Sequence, residues 1–199
     1  MTKDNILKIA TQEFSRLGYD GVSMNNLASE LKLNKATIYY HFKDKKSLYQ
    51  EVIKSTIKHN QTSAENLLIT DIDIKDKFQQ YIKILVEKFQ KNPQIVSIVL
   101  REMANLGRNI ENAIEEDIEK EMIPLVEILN QLDLKEKYKD MDFHLIKSLV
   151  MGTTLSYYSI QISNIELNGL KELNKDSDKI FDYISEFISN ILLDALCRN

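Results

Sequence analysis

Lys35, Thr37, Tyr39, Tyr40 and His41 fall within seven residues, and Lys45 follows four positions later. Their chemistry is that of contacts to an anionic, hydrogen-bonding polymer. A lysine neutralises a phosphate or donates to guanine, and a threonine offers a hydroxyl beside a methyl that fits thymine. Tyrosine joins an apolar ring to a hydroxyl that reaches a phosphodiester backbone, a contact that sets register without reading sequence. His41 either contacts a base or caps and packs locally. Lys45 sits where a helix begins, so its charge and the free N–H groups of that helix can clasp one phosphate together. No comparable grouping points to an enzyme. His59, His144 and Cys197 are far apart, and there is no HExxH, CxxC, glycine-rich phosphate loop or nucleophile elbow. We expect no catalytic residue, no metal and no cofactor.

Such side chains read DNA only when held rigidly. The segment from Ser23 to Phe42, SMNNLASELKLNKATIYYHF, gives a short helix, a tight turn and a second short helix without a gap. That is the pattern of a helix-turn-helix, in which the first helix braces the second at a steep angle. Ser23 is a good N-cap for the first helix, and Asn34 for the second. Leu27 and Ala28 face inward, Leu31 and Leu33 bury the turn, and Ile38 and Phe42 anchor the second helix from below. Lys35 and Ala36 then open a recognition helix whose N-terminal end points to base edges in the major groove.

From Ile6 to Val52 the chain resembles the DNA-binding domain of the TetR family of bacterial regulators. The matching marks are Ala10, Phe14, Gly18-Tyr19, Gly21 and Ser23, then Leu27-Ala28, Leu33, Thr37 through Phe42, Lys45 and Leu48. The resemblance covers about a quarter of the chain. It implies that Ser23, Lys35, Ala36, Thr37, Tyr39, Tyr40, His41 and Lys45 face the DNA. Three positions depart from the family pattern. Lys32 stands where glycine is frequent in the turn, Met24 replaces a common threonine, and Ala36 a common glycine or proline. A positive φ at Lys32 would cost about 1 kcal/mol; alternatively the first helix runs on slightly before turning.

The elements behind this module are helical. Only 5 of 199 residues are glycine and 2 are proline, so long helices meet few breakers. Ile6, Ala10, Phe14 and Leu17 form one stripe that stops at Gly18. Asp44 caps a fourth helix through Leu48, Val52 and Ile53. Phe78, Ile82, Leu85 and Phe89 recur at helical spacing, and Asn92-Pro93 caps a helix that ends at Gly107. Ile110, Ile114, Ile118 and Met122 mark another, with a kink or break near Ile123 because of Pro124. Helices over 142–165 and 177–197 close the chain, with a polar loop from Gly169 to Asp178. The expected fold is all-α: an N-terminal three-helix DNA-binding domain over 1–50 and a helical effector-binding and dimerisation domain over 51–199.

Net charge is −4, yet it divides unevenly. Residues 1–50 hold eight Lys/Arg against five Asp/Glu, and residues 51–199 hold eighteen against twenty-five. A mildly basic module on an acidic body suits one part facing nucleic acid and the rest facing something else. A single cysteine fits a reducing compartment, and neither a signal core nor a spanning run is visible. We therefore expect a cytoplasmic protein with no membrane partner.

The resemblance further implies a homodimer on an inverted-repeat operator, paired through the last two helices. Leu149, Gly152 and Leu155 supply one side. Ile184, Phe187, Ile188, Ile191, Leu192 and Ala195 supply the other. It also implies a small-molecule effector pocket. Candidate linings are Phe89, Leu100, Met103, Met151, Tyr157 and Ile160, with Asn105 and His144 as polar handles, although such residues also serve as plain core. The expected function is a transcriptional repressor released by an effector; the alternative is a DNA-bound platform that couples chromosome position to a protein partner.

Overall fold

A computed structural model describes residues 2–110, 116–117, 119–162 and 177–198, the side chains of 56–63, 160–162 and 177–178 excepted. The named helices are α1 (Lys3–Gly21), α2 (Met24–Glu30), α3 (Lys35–His41), α4 (Lys45–Leu68) and α5 (Ile74–Lys91). They continue with α6 (Pro93–Ala104), α7 (Ile123–Gln131), α8 (His144–Ile162) and α9 (Ser177–Leu196). A 3-10 turn covers Glu136–Tyr138, and the β pairing found among the described residues is an isolated Leu134–Cys197 bridge. The chain is all-α. The expected marks at Ile114 and Ile118, and the polar loop up to residue 176, lie outside the described residues.

The chain divides into two compact units. The first comprises Met1–His59 with Asn92–Ile118, and the second Asn60–Lys91 with Glu119–Asn199. Residue 50, where the sequence places a boundary, thus falls inside α4, and α6 joins the N-terminal helices.

In the first unit, Ile6, Ala10 and Phe14 of α1 meet Leu27, Ala28, Ile38, Leu48 and Val52 in one buried cluster that includes Ile98 of α6. Burying each large apolar side chain there contributes roughly 1.5–3 kcal/mol. Gly18 stops the regular part of α1 with φ of 73°, and one further turn follows to Gly21. The bare glycine backbone also admits Arg101 of α6, since a Cβ at Gly18 would lie 3.2 Å from Nη1. Arg101 donates to the Arg16 carbonyl at 3.3 Å. Tyr49 packs edge-on to Phe14 at 4.7 Å and donates its hydroxyl to Glu102 at 2.8 Å. Burial first, and the Glu102 carboxylate second, push that hydroxyl's pKa well up.

In the second unit, α5 packs against α7, α8 and most extensively α9. Phe78, Ile82, Leu85 and Phe89 of α5 are all buried, as their spacing predicts. Pro124 sits in the first turn of α7, where its missing N–H is harmless. The break expected near Ile123 is therefore a helix start. Asn92 precedes α6, but its side chain does not close the cap. The end of α9 is tied down by Lys135, whose N–H donates to the Leu196 carbonyl at 2.8 Å.

Candidate nucleic-acid interface

α2 and α3 are short, so their ends decide whether they form. The Ser23 hydroxyl accepts from the Asn25 N–H at 3.3 Å and caps α2. At the other end the Leu33 N–H reaches the Ala28 carbonyl at 2.9 Å and the Lys32 N–H reaches Ser29 at 3.0 Å. This bond pair is a Schellman closure, whose pivot residue needs a left-handed backbone. The pivot is Lys32, with φ of 54°. The strained turn therefore occurs, and α2 does not run on. Leu33, half-buried, packs against the same cluster as Ala28 and Leu31.

Asn34 follows at once and caps α3, its Oδ1 accepting from the Ala36 N–H at 2.9 Å. Ile38 is fully buried and Phe42 nearly so. With α3 anchored on that side, its remaining faces are presented outward. Tyr40 is 85% exposed and Tyr39 40%. Ala36 is exposed, and Lys35, Thr37 and His41 are half-buried. Lys35 Nζ lies 5.5 Å from the Tyr39 ring centre, and the Tyr40 and His41 rings meet edge-on at 5.2 Å. Two tyrosine hydroxyls, a threonine hydroxyl, an imidazole and an ammonium thus occupy a single seven-residue helix.

Lys45 opens α4, as expected, but its ammonium is turned back onto the end of α1. It lies 4.6 Å over the Tyr19 ring and 3.4 Å from the Asp20 carbonyl. The N-terminal amides of α4 also have an acceptor within the chain. Asp44 Oδ1 takes the Ser47 N–H at 2.7 Å, and that bond holds the carboxyl below its ordinary pKa. Lys3, at the start of α1, is engaged by Glu51 at 3.1 Å and lies over the Phe42 ring.

The other sequence candidates are distributed as follows. Leu100, Met103 and Asn105 belong to the first unit, Met103 and Asn105 being exposed. Phe89, in the second unit, is almost fully buried. His144 is exposed at the start of α8, its Nδ1 2.9 Å from Asp142. Met151 and Tyr157 are half-buried on α8, and the side chain of Ile160 lies outside the described residues. Two cavities in the second unit are lined by other residues. Of the pairing candidates, Leu155, Ile184, Ile188 and Leu192 are buried within the second unit. Leu149, Gly152, Phe187, Ile191 and Ala195 are exposed. Sequence reasoning missed a cluster of Lys88, Glu121 and Lys147, because the three lie on separate segments with no shared spacing.

Residues 6–52 match the family model described as "Bacterial regulatory proteins, tetR family". A 52-residue stretch is 42% identical to the biofilm operon icaADBC HTH-type negative transcriptional regulator IcaR of Staphylococcus aureus (strain Newman). That alignment covers 26% of this chain and 28% of IcaR, so the chain matches under a third of that relative's length. The HTH-type transcriptional regulator YhgD of Bacillus subtilis (strain 168) is 27% identical over 118 residues, 59% of this chain and 60% of YhgD. In fold, the chain is similar to a TetR-family transcriptional regulator from Bordetella parapertussis 12822. The TM-score is 0.68 at 17% identity, covering 93% of this chain and 92% of that one.

Proposed function

Since residues 6–52 match the family model of the TetR regulatory proteins, we propose that this chain is a sequence-specific DNA-binding transcriptional repressor of that family, released by a small-molecule effector. The observation that carries this reading is α3: a capped helix anchored by Ile38, with Tyr40 almost wholly in solvent beside Tyr39, Thr37 and Lys35. In this reading α3 lies in the major groove. Lys35, Ala36 and Thr37 meet base edges, and Tyr39, Tyr40, His41 and Ser23 fix the register on the backbone. Lys45 leaves Tyr19 for a phosphate, which offers a full charge in place of a ring face and a carbonyl.

One α3 is too small to select a site, and two on one duplex must stand about 34–36 Å apart. Exposed Leu149 and Gly152 on α8, with Phe187, Ile191 and Ala195 on α9, give two copies a surface on which to pair. An effector held by the helical second unit favours a dimer whose α3 helices no longer match the half-site spacing. Operator affinity then falls by the ratio of effector affinities for the two states.

The test is binding to DNA fragments selected from the source genome. Replacing Tyr40 and Lys45 together by Ala should abolish retention at moderate salt while circular dichroism and the oligomeric state stay unchanged. Retention by the double variant would show that α3 is not the reading element.

A further inference from the structure

The second unit holds a charged cluster largely away from solvent. Lys88 on α5 places its ammonium 2.6 Å from Glu121 Oε1, and Lys147 on α8 places its own 3.1 Å from Oε2. The side chains of Lys88, Glu121 and Lys147 are only 8%, 12% and 13% exposed. Tyr81 donates to the Glu121 carbonyl at 3.2 Å, and α7 starts two residues later with Pro124 in its first turn. Two ammonium groups thus converge on the two oxygens of one carboxylate.

As a device for stability this arrangement is poor. Each buried ion costs several kcal/mol of desolvation, and apolar side chains of like volume pack at least as well. As the polar end of a binding site it makes sense. Lys88 and Glu121 line a cavity whose other walls are Ala64, Tyr81, Ile84, Leu85 and Pro124. Apolar walls with polar groups converging at one end suit a molecule with an apolar body and one charged head. The free volume is about 10 Å³, room for one water, so a ligand enters only by displacing a side chain. Glu121 is the one whose charge matches an incoming anion.

We propose that Lys88 and Lys147 form the receptor for the carboxylate of an aliphatic monocarboxylic acid, with Glu121 holding that position in the free protein. The ligand's head exchanges with the Glu121 carboxylate, and its chain lies along Ile84, Leu85 and Pro124. No covalent bond changes. The proposal rests on the reading of the second unit as effector-binding and names the chemical class of effector.

The experiment is calorimetric titration of the full chain, without DNA, with straight-chain acids from acetate to decanoate and with the matching alcohols. An acid should bind at least tenfold more tightly than its alcohol. Glu121→Gln, which removes the internal competitor, should tighten acid binding at least tenfold. The pair Glu121→Gln/Lys147→Gln leaves the Lys88 ammonium as the remaining charge of the cluster, so it should keep the fold and bind acid at least tenfold more weakly than Glu121→Gln alone. No binding by any acid, equal binding of acid and alcohol, or an unchanged affinity in Glu121→Gln overturns the proposal. None of these results touches the DNA-binding reading. Acid binding that leaves DNA retention unaltered supports the receptor and overturns the effector role.

Discussion

Lys32 carries a side chain where the closure of α2 asks for none. Its φ of 54° brings Cβ toward the following carbonyl, a strain of about 1 kcal/mol that glycine avoids. Lys32→Gly should therefore raise stability by up to about 1 kcal/mol, less the extra unfolded-state entropy of glycine. The shift of the urea midpoint, at unchanged m-value, measures it. Asp44 gives a pH-dependent counterpart. Its carboxyl is held below the ordinary value chiefly by the Ser47 N–H, so its stabilisation is complete above the unfolded pKa of about 3.9. It is lost as pH falls through the lower folded value. Asp44→Asn keeps an acceptor without the charge, so it should lose less stability than the parent between pH 5 and pH 2, read by urea melts across that range.

At the scale of elements, periodicity and caps carried the reading. Ser23, Asn34 and Asp44 announce helices that do start after them, and Pro124 begins one where a break was expected. The limits of that reading are equally physical. In α9 the apolar residues recur on so broad an arc that spacing cannot divide it. The structure separates an inner row, Ile180, Ile184, Ile188 and Leu192, from an outer row of Tyr183, Phe187 and Ile191. Only contact with the rest of a fold decides that. Likewise Phe89 has the residue type of a pocket wall and the burial of core, while the Lys88–Glu121–Lys147 cluster joins three segments that no local pattern links. The outer row makes a prediction of its own. Phe187→Asp with Ile191→Asp changes side chains that are 52% and 50% exposed, so the fold should persist. Sedimentation should show monomers, and operator affinity should drop by about 100-fold or more as bivalent contact is lost.

For the whole molecule, charge is divided along the chain: +3 over residues 1–50 and −7 over 51–199. On the proposed function, an acidic body repels phosphate, so DNA attraction comes from a few cations near α3, and its salt slope counts how many of them meet phosphate. Lys45→Ala removes one phosphate contact per copy. The slope of log affinity against log salt should become shallower by about 2 for a dimer, measured by fluorescence anisotropy over a salt series; an unchanged slope would mean that Lys45 stays on Tyr19. The exposed row of α9 bears on how much protein a cell must make. When paired copies are the form that reads DNA and free copies predominate, the concentration of paired copies grows with the square of the total. Halving the concentration of chains then cuts the reading form fourfold, so a gene under its control would respond to changes in the protein's synthesis more than in proportion.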